Sequence, residues 1–219
     1  MSPASEQLQA CLPEVSAAAW EQLNGWAALM REWNAKVNLV SRKDIDQLEE
    51  HHLAPCLAIT GHLKLMQGAR VLDVGTGGGL PGLPMAICYP QARFHLVDAV
   101  GKKVRVVEDI AQRLGLPNVH TQHARIESMK GGYDFVTGRA VTDLAAFINW
   151  IRPFVRKGCK HSLANGLLYW RGGDVQTESA GLRSRLNHAY DLEKQLGDPY
   201  FAQKYILHFR AEELYAESS

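Results

Sequence analysis

The sequence predicts an α/β fold in which a mostly parallel, doubly wound sheet follows a helical N-terminal region. Two observations carry this prediction. Short β-type runs alternate with helical stretches from residue 70 onward, and apolar residues recur every three or four positions before residue 66. A chain of 219 residues, 46% hydrophobic and 21% charged, is long enough for one full core with a small addition. We therefore divide it into a helical region, 1–66, and an α/β domain, 67–219.

Two helices are predicted in the N-terminal region. Between residues 16 and 36, apolar side chains fall at the spacing of an amphipathic helix, and its packing face carries three tryptophans. Ser41 and Asp44 then match a capping box, in which both side chains satisfy free backbone amides. This motif predicts a second helix that continues to about Ile59.

The β-type runs justify the sheet. They are RVLDV (70–74), RFHLVD (93–98), NVHTQHA (118–124), YDFVTG (133–138), LLYW (167–170) and KYILHF (204–209). Helical stretches between such runs imply right-handed crossovers and parallel pairing. The end of the chain is less regular, because YDLEKQL and KYILHF have no obvious helix between them. These two runs are compatible with an antiparallel pair.

Composition excludes several classes of protein. Cys11, Cys56, Cys88 and Cys159 lie far apart, which predicts reduced, mostly buried thiols and argues against a zinc site or a disulfide framework. The first residues, MSPASEQLQA, lack the features of a signal peptide, and no run of about 18 apolar residues occurs. We expect a cytoplasmic protein without a membrane or metal partner. Because the net charge is only +1, a nucleic-acid partner must be met by a local basic surface.

A glycine-rich loop in VLDVGTGGGLPGLP, residues 71–84, follows the first strand. Backbone amides at such a strand–helix junction commonly bind the phosphates of a cofactor. The triphosphate-binding pattern Gly-x4-Gly-Lys-Ser/Thr is absent from the sequence. Gly77, Gly79 and Gly82 do match the dinucleotide pattern, and Asp98 follows at the distance of a ribose-binding acid. In that fold, however, the first glycine directly follows the strand, whereas this strand ends Asp73-Val74-Gly75 before the motif begins at Gly77.

Asp73 discriminates between the ligands. A carboxylate at the strand end repels a pyrophosphate but stabilises an ammonium or a sulfonium, and S-adenosylmethionine carries both cations and no phosphate. We therefore predict that Asp73 lies near the methionine moiety, that Gly75 and Gly77 let the backbone approach the cofactor, and that Asp98 accepts hydrogen bonds from the ribose. The alternative is that Asp73 caps a helix, the glycines only form a turn and Asp98 is exposed.

These motifs resemble one family. VLDVGTGGGLPGLPMAI, LVDAVGKKVRVV, FVTGRAV and the upstream EWNAKVNLVSRKDIDQLEEHHL are similar to the bacterial guanine-N7 methyltransferases of small-subunit ribosomal RNA, over roughly residues 25–172. The resemblance implies a class I S-adenosylmethionine-dependent methyltransferase with a Rossmann-like, mostly parallel seven-stranded sheet. It also implies methyl transfer to N7 of one guanine, guanine 527, in 16S rRNA.

The resemblance also assigns site residues. It places Gly75 and Leu80 in the cofactor loop, Ile126 and Glu127 beside the adenine, and Arg139 at the edge of the active site. Departures from the family pattern also occur: Gly78 replaces a frequent proline, Gly138 a serine, Pro55-Cys56 an Asp-Ser pair and Arg171 a lysine. We expect the glycine changes to alter only loop stiffness, and the others to affect contact with the base or the RNA backbone.

The chemistry of guanine N7 fits the residues after the fourth strand. N7 presents an in-plane lone pair, so no catalytic base is required and the protein must align the reacting atoms. We predict that Arg139 either stacks on the base or orders the cofactor and an RNA phosphate. The alternative is a local ion pair with Asp143. Cys159 follows a later helix and is not placed to act as the nucleophile of a cytosine-C5 enzyme.

Basic residues are candidates for RNA contact. They are Arg42, Lys43, Lys102, Lys103, Arg105 and Arg171. We expect 16S rRNA as the partner, within the small ribosomal subunit or an assembly intermediate, and a monomeric enzyme. His51 and His52 are expected either to reach the RNA or to pair locally, and Asn38 to order a loop. The alternatives are methylation of another RNA, a small molecule or a protein, and a non-catalytic, cofactor-sensing RNA-binding factor.

Overall fold

A computed structural model of the protein describes residues 3–173 and 180–215. The strands are β1 (Arg70–Val74), β2 (Arg93–Asp98), β3 (Val119–His123), β4 (Phe135–Arg139), β5 (Gly166–Gly172), β6 (His188–Asp191) and β7 (Lys204–Arg210). The α-helices are α1 (Pro3–Cys11), α2 (Ala17–Asn34), α3 (Ala54–Leu57), α4 (Gly82–Cys88), α5 (Gly101–Arg113), α6 (Leu144–Ile151), α7 (Leu192–Leu196) and α8 (Ala211–Leu214). Short 3-10 turns and one π-helical turn, Leu48–Leu53, connect them.

The strands form one seven-stranded sheet in the order β3-β2-β1-β4-β5-β7-β6. Strands β1 to β5 are parallel, and β7 lies antiparallel between β5 and β6. This arrangement confirms the predicted fold. Because the carboxyl ends of β1, β2, β4 and β5 meet at one edge, the loops that follow them can share a ligand.

The end of the chain differs from its prediction in one respect. The antiparallel pair is present, but the strand that pairs with β7 is His188–Asp191 and includes only the first two residues of YDLEKQL. The remaining residues form α7, which begins where the Asp191 side chain accepts a hydrogen bond from the amide of Lys194. This helix was not predicted, because its five residues are too few to show a helical period.

The first predicted helix is confirmed and the second is only partly right. Ser16 caps α2 by accepting a hydrogen bond from the amide of Ala19. The region after Ser41 is helical to Gly61, but it passes through 3-10, π and α geometry in turn. Pro55 lacks the amide hydrogen that a continuous α-helical ladder needs. Asp44 binds two histidine side chains rather than a backbone amide, so the predicted capping box is wrong.

Two hydrophobic clusters cover the two faces of the sheet. One contains Val71 and Leu168 and extends into α2, α4 and α5, and the other contains Leu72 and Leu167 and extends into α6 and α8. Neighbouring residues of one strand thus pack on opposite faces, as the period of a strand requires. The helical N-terminal region shares the first cluster with the sheet. The boundary at residue 66 between the helical region and the α/β domain stays a prediction. Residues 174–179 and 216–219 of the predicted α/β domain lie outside the described residues.

The cysteines and the helices bear on two further predictions. All four thiols are free, but Cys11 and Cys159 are exposed, so the expectation of mostly buried thiols is wrong. Cys56 is buried and Cys88 is partly buried. Among the described residues, no helix combines the length and the apolar character needed to cross a membrane.

Candidate functional site

The glycine loop joins β1 to α4 at the carboxyl edge of the sheet. Gly75, Gly77 and Gly79 have φ angles of 67°, 58° and 87°, which side chains rarely adopt. A Cβ on Gly75 would lie 3.0 Å from Cγ2 of Val141, so the segment after β4 packs directly on this loop. A Cβ on Gly77 would meet only the carbonyl oxygen of Gly75, at 3.9 Å. The backbone at Gly77 is therefore open to a ligand.

Asp73 lies beneath the loop and is fully buried. Its carboxylate accepts hydrogen bonds from the Thr76 hydroxyl at 2.6 Å, the Thr137 hydroxyl at 2.7 Å and the amide of Gly82 at 3.2 Å. Gly82 is the first residue of α4, so Asp73 does cap a helix, as the alternative interpretation held. Burial raises the pKa of Asp73 to about 6, despite these hydrogen bonds. An electrostatic role toward the methionine moiety stays a prediction.

Asp98 ends β2 beside the loop. It is only 7% exposed, in contrast to the exposed Asp98 of the alternative interpretation. Its two carboxylate oxygens accept hydrogen bonds from the amides of Gly77 and Val100, each at 2.8 Å. Each oxygen retains a second lone pair, because a carboxylate has about four acceptor sites. Asp98 can therefore hold the loop and still bind the hydroxyls of a ribose.

The other residues assigned to the cofactor have different environments. Leu80 is half-buried, and its amide donates to the carbonyl of Thr76. Ile126 is buried in a 3-10 turn after β3, whereas the neighbouring Glu127 is exposed. All three lie on loops at the carboxyl edge of the sheet. An open backbone at Gly77 and a buried acceptor at Asp98 fit S-adenosylmethionine. The place of Ile126 and Glu127 beside the adenine stays a prediction.

Arg139 ends β4 and points toward the π-helical turn. Its guanidinium donates to the carbonyl oxygens of His52, at 3.3 Å, and His51, at 3.5 Å. One of its nitrogens also lies 3.2 Å from Nδ1 of His52. Asp143 instead caps α6 by accepting a hydrogen bond from the amide of Ala146. Arg139 thus turns to the histidines, and the alternative ion pair with Asp143 is not formed.

The Pro55-Cys56 pair lies directly behind Arg139. The Pro55 carbonyl accepts a hydrogen bond from the Trp170 indole at 2.7 Å, and the Cys56 sulfur lies 3.8 Å from the guanidinium. Burial raises the pKa of Cys56 to about 12, even though Arg139 acts in the opposite direction. The thiol therefore stays protonated and is a packing group here, because only the thiolate is a strong nucleophile.

A cavity of about 170 Å³ opens beside Arg139. Its lining includes three cations and four aromatic rings: Arg139, Arg171, Lys204, His51, Trp170, Tyr200 and Phe201. The rings of His51 and Tyr200 are nearly parallel and stacked, with their centroids 3.5 Å apart. The Nζ atom of Lys204 lies 3.1 Å from the centroid of the Tyr200 ring. Burial and the charge of Arg139 lower the pKa of Lys204. Flat rings and cations in one small cavity suit a planar, polar ligand.

The candidate RNA contacts do not form one cluster. Arg171 lies in the cavity with Arg139, whereas Arg42 and Lys43 are exposed on the loop that precedes the π-helical turn. Lys102, Lys103 and Arg105 lie in the first turns of α5, on the side of β2. Arg171 lies near the carboxyl end of β5, and α5 follows the carboxyl end of β2. Their binding to RNA stays a prediction.

Three members of this site were not predicted from the sequence. Asp44, Tyr200 and Lys204 contact or flank the histidines beside Arg139. Tyr200 lies within the 3-10 turn Pro199–Phe201, and Asp44 was assigned to a cap. The loop-ordering role expected of Asn38 belongs to Asn34, whose side chain accepts hydrogen bonds from the amides of Leu39 and Val40.

Both glycine departures affect packing rather than loop stiffness alone. A Cβ on Gly78 would lie 3.2 Å from both Met30 and Leu39, in the N-terminal region. A Cβ on Gly138 would lie 2.9 Å from Cε1 of the Phe147 ring and even closer to its Cζ. The ring therefore fills the space that a side chain at position 138 would need.

We expect Gly138→Ser to destabilise the protein by about 1 to 3 kcal/mol, because the new side chain overpacks against Phe147. Phe147→Leu in the same chain makes room and recovers a large part of this loss. Urea unfolding of the two single variants and the double variant gives the interaction energy between the positions. Additive effects of the two changes would contradict this account of the contact.

The sheet, the glycine loop and Asp98 define a class I S-adenosylmethionine-dependent methyltransferase. Solved structures share the fold: magnesium protoporphyrin IX methyltransferase from Synechocystis, with bound S-adenosylmethionine, has a TM-score of 0.52 at 16% identity and covers 77% of this chain and 78% of its own. A methyltransferase from Aquifex aeolicus has a TM-score of 0.52 at 13% identity and covers 78% and 98%.

Sequence comparison identifies the family. The model described as rRNA small subunit methyltransferase G matches residues 19–178, and the chain belongs to this family. Two relatives carry the name Ribosomal RNA small subunit methyltransferase G. The one from Flavobacterium psychrophilum is 40% identical over 203 residues, 93% of this chain and 96% of its own. The one from Cytophaga hutchinsonii is 41% identical over 191 residues, 87% and 92% respectively.

Proposed function

We propose that this enzyme transfers a methyl group from S-adenosylmethionine to N7 of one guanine in 16S rRNA, and that the cavity beside Arg139 receives the guanine. The cavity carries the proposal. An apolar cavity of about 150 Å³ accepts one benzene molecule, so a cavity of about 170 Å³ that is open to solvent suits a single flipped-out base rather than a chain segment. The segment that follows Arg139 packs on the glycine loop through Val141, and this contact supports a cofactor site next to the cavity.

The residues that line the cavity match the chemistry of N7. S-adenosylmethionine supplies an electrophilic methyl group on its sulfonium when it is bound. Guanine N7 offers its lone pair without losing a proton, so the protein has to hold the base in line and in plane. Aromatic rings and guanidinium groups are the surfaces on which RNA-binding proteins stack unpaired bases. Arg139 and Trp170 line the cavity as such groups, and the stacked pair of His51 and Tyr200 forms another part of its wall.

The charge of the whole chain bears on the form of the substrate. A net charge of +1 gives little long-range attraction to naked RNA, whose binding depends strongly on neutralised phosphates. We infer that the substrate is the folded small ribosomal subunit or an assembly intermediate, met by a monomeric enzyme in the cytoplasm. Shape and local basic residues then select the site, with Arg171 beside the base and Lys102 and Lys103 on phosphates.

The test is transfer of labelled methyl from S-adenosylmethionine to under-methylated small subunits, to the same rRNA stripped of protein, and to total protein. We expect 7-methylguanine at a single position of 16S rRNA, with the particle as the better acceptor. Mass spectrometry of nuclease fragments locates the modified nucleotide. Label on the protein fraction or on another base would overturn the proposed acceptor, and equal rates on particle and naked RNA would overturn the preference for the particle.

A further inference from the structure

Arg139 is held by a chain of hydrogen bonds that begins 95 residues earlier, at Asp44. The first link is the contact between the guanidinium and Nδ1 of His52, at 3.2 Å. A guanidinium has only donors, so Nδ1 can take part in this bond only as an acceptor, without a proton. The imidazole of His52 must therefore be neutral and carry its single proton on Nε2.

The second link satisfies this requirement. Nε2 of His52 lies 2.5 Å from one carboxylate oxygen of Asp44. An ionised carboxylate only accepts, so the bond needs the proton on Nε2 and excludes the other neutral tautomer. Asp44 thereby sets the tautomer of His52, and this tautomer leaves a lone pair that faces Arg139.

The other carboxylate oxygen of Asp44 holds the opposite wall of the cavity. It lies 2.6 Å from Nδ1 of His51, and the ring of His51 is stacked on Tyr200. One carboxylate therefore fixes two consecutive histidines with different tasks. His52 orients the guanidinium of Arg139, and His51 positions the ring of Tyr200.

We propose that Asp44 is a positioning residue for methyl transfer, which acts through His52 on Arg139 and through His51 on Tyr200. This inference rests on the proposed function, because the cavity that Asp44 organises is the proposed guanine site. Asp44 itself contacts the two histidines and is not among the residues that line the cavity. Its side chain is 27% exposed, so the surrounding structure does not hold the network by burial alone.

The charges around His52 keep the required protonation state. Burial lowers the pKa of His52, and the positive charge of Arg139 lowers it further, while Asp44 acts in the opposite direction. The other titratable groups at this ring are His51 and, behind the guanidinium, the Cys56 thiol. At neutral pH the imidazole is therefore uncharged, as the bond to Arg139 needs. Asp44 stays ionised because the histidine hydrogen bonds lower its pKa against the effect of burial.

Asp44→Asn tests the positioning role with a minimal change of shape. An asparagine offers one acceptor and one donor where Asp44 offers two acceptors. One histidine must then present a lone pair to residue 44. If it is His51, Nδ1 loses its proton and the contact that holds the ring on Tyr200 changes; if it is His52, the proton moves to Nδ1, against Arg139. We expect kcat to fall about ten- to a hundredfold, as is usual when an orienting partner is lost, with the KM for S-adenosylmethionine changed by less than about twofold.

The matched control is Asp46→Asn, which removes the same charge from an exposed side chain two residues away. We expect this variant to keep the activity of the unmodified enzyme. Long-range nitrogen–proton NMR of histidine-labelled protein reports the tautomers directly. It should show the Nε2-protonated form of His52 in the unmodified protein and in Asp46→Asn, and a changed tautomer of His51 or His52 in Asp44→Asn. A merely structural role of Asp44 would not move this signal.

The outcomes separate the inference from the proposed function. Equal kcat for the Asp44→Asn and Asp46→Asn variants, or an Nδ1-protonated or doubly protonated His52 in the unmodified protein near neutral pH, overturns the positioning role. Loss of S-adenosylmethionine binding together with kcat in Asp44→Asn would also overturn it, because the defect would then be general. Absence of transfer to rRNA by the unmodified enzyme overturns the proposed function instead, and the NMR result still decides the tautomer.

Discussion

Replacement of Arg139 by alanine should reduce methyl transfer at least about a hundredfold and leave the protein folded. Misplacement of reacting groups by about 1 Å is enough for a loss of this size, and Arg139 is the cation that joins the end of β4 to the histidines of the cavity. Labelled-methyl incorporation into small subunits measures the rate. Thermal unfolding checks the fold, and calorimetry checks the affinity for S-adenosylmethionine.

Two further variants sharpen this prediction. Arg93→Ala removes an exposed arginine from the opposite, amino-terminal edge of the sheet, and we expect normal transfer. Arg139→Lys keeps the charge but not the fork of donors that reaches two carbonyls and an imidazole, so we expect a loss close to that of alanine. Full activity of the lysine variant would show that charge alone is sufficient. Near-normal activity of Arg139→Ala would remove Arg139 from the site.

The sheet was predictable because each strand carries its own signal. RVLDV and RFHLVD match β1 and β2 residue for residue, since buried parallel strands need short apolar runs and end at polar loops. The region between Ser41 and Gly61 was not predictable to the same depth. Its change from 3-10 to π to α geometry depends on Pro55 and on contacts with β4 and β5. The spacing of apolar residues in the sequence does not show these contacts.

The cofactor side of the site was more predictable than the acceptor side. Asp73, the glycine loop and Asp98 lie within 26 residues and follow a motif, so their order in the chain already indicates their place at the sheet edge. The partners of Arg139 lie more than 80 residues away along the chain. Only tertiary packing brings them together. A signal was nevertheless present, because two adjacent histidines that follow an aspartate at seven and eight residues favour local pairing.

Asp73 is predicted for the cofactor site and also has a structural role. Its negative charge predicts a cationic ligand. In the structure, its carboxylate also accepts three hydrogen bonds, which connect β4, the glycine loop and α4. These tasks make different demands on the side chain. The first needs a negative charge, and the second needs acceptors of the right shape, so substitution by alanine and by asparagine distinguishes them.

Asp73→Ala should destabilise the protein by about 3 kcal/mol or more, because it leaves the Thr76 hydroxyl, the Thr137 hydroxyl and the Gly82 amide without their buried acceptor. Asp73→Asn should be far milder. The amide oxygen can keep Thr76 and Gly82, and the amide nitrogen can donate to Thr137, whose own hydrogen can turn to the Leu72 carbonyl, 3.5 Å away. Urea unfolding at pH 7.5 measures both changes, and equal losses for the two variants would contradict the role of the acceptors.

The pH dependence isolates the charge. Burial raises the pKa of Asp73 from 3.8 to about 6, so between these values the folded protein binds more protons than the unfolded chain and this group's contribution to stability falls as pH rises. Asp73→Asn lacks this contribution. The unfolding free energy of Asp73→Asn minus that of the unmodified protein should therefore rise by on the order of 1 to 3 kcal/mol between pH 4.5 and 7.5. The subtraction removes the opposite effect of the buried His95 and His208, whose pKa values burial lowers to about 4. A difference that does not change with pH would mean that Asp73 titrates at its ordinary value. If the difference rises and Asp73→Asn also binds S-adenosylmethionine more weakly than the unmodified protein, the buried charge is retained for the cofactor at a cost to stability.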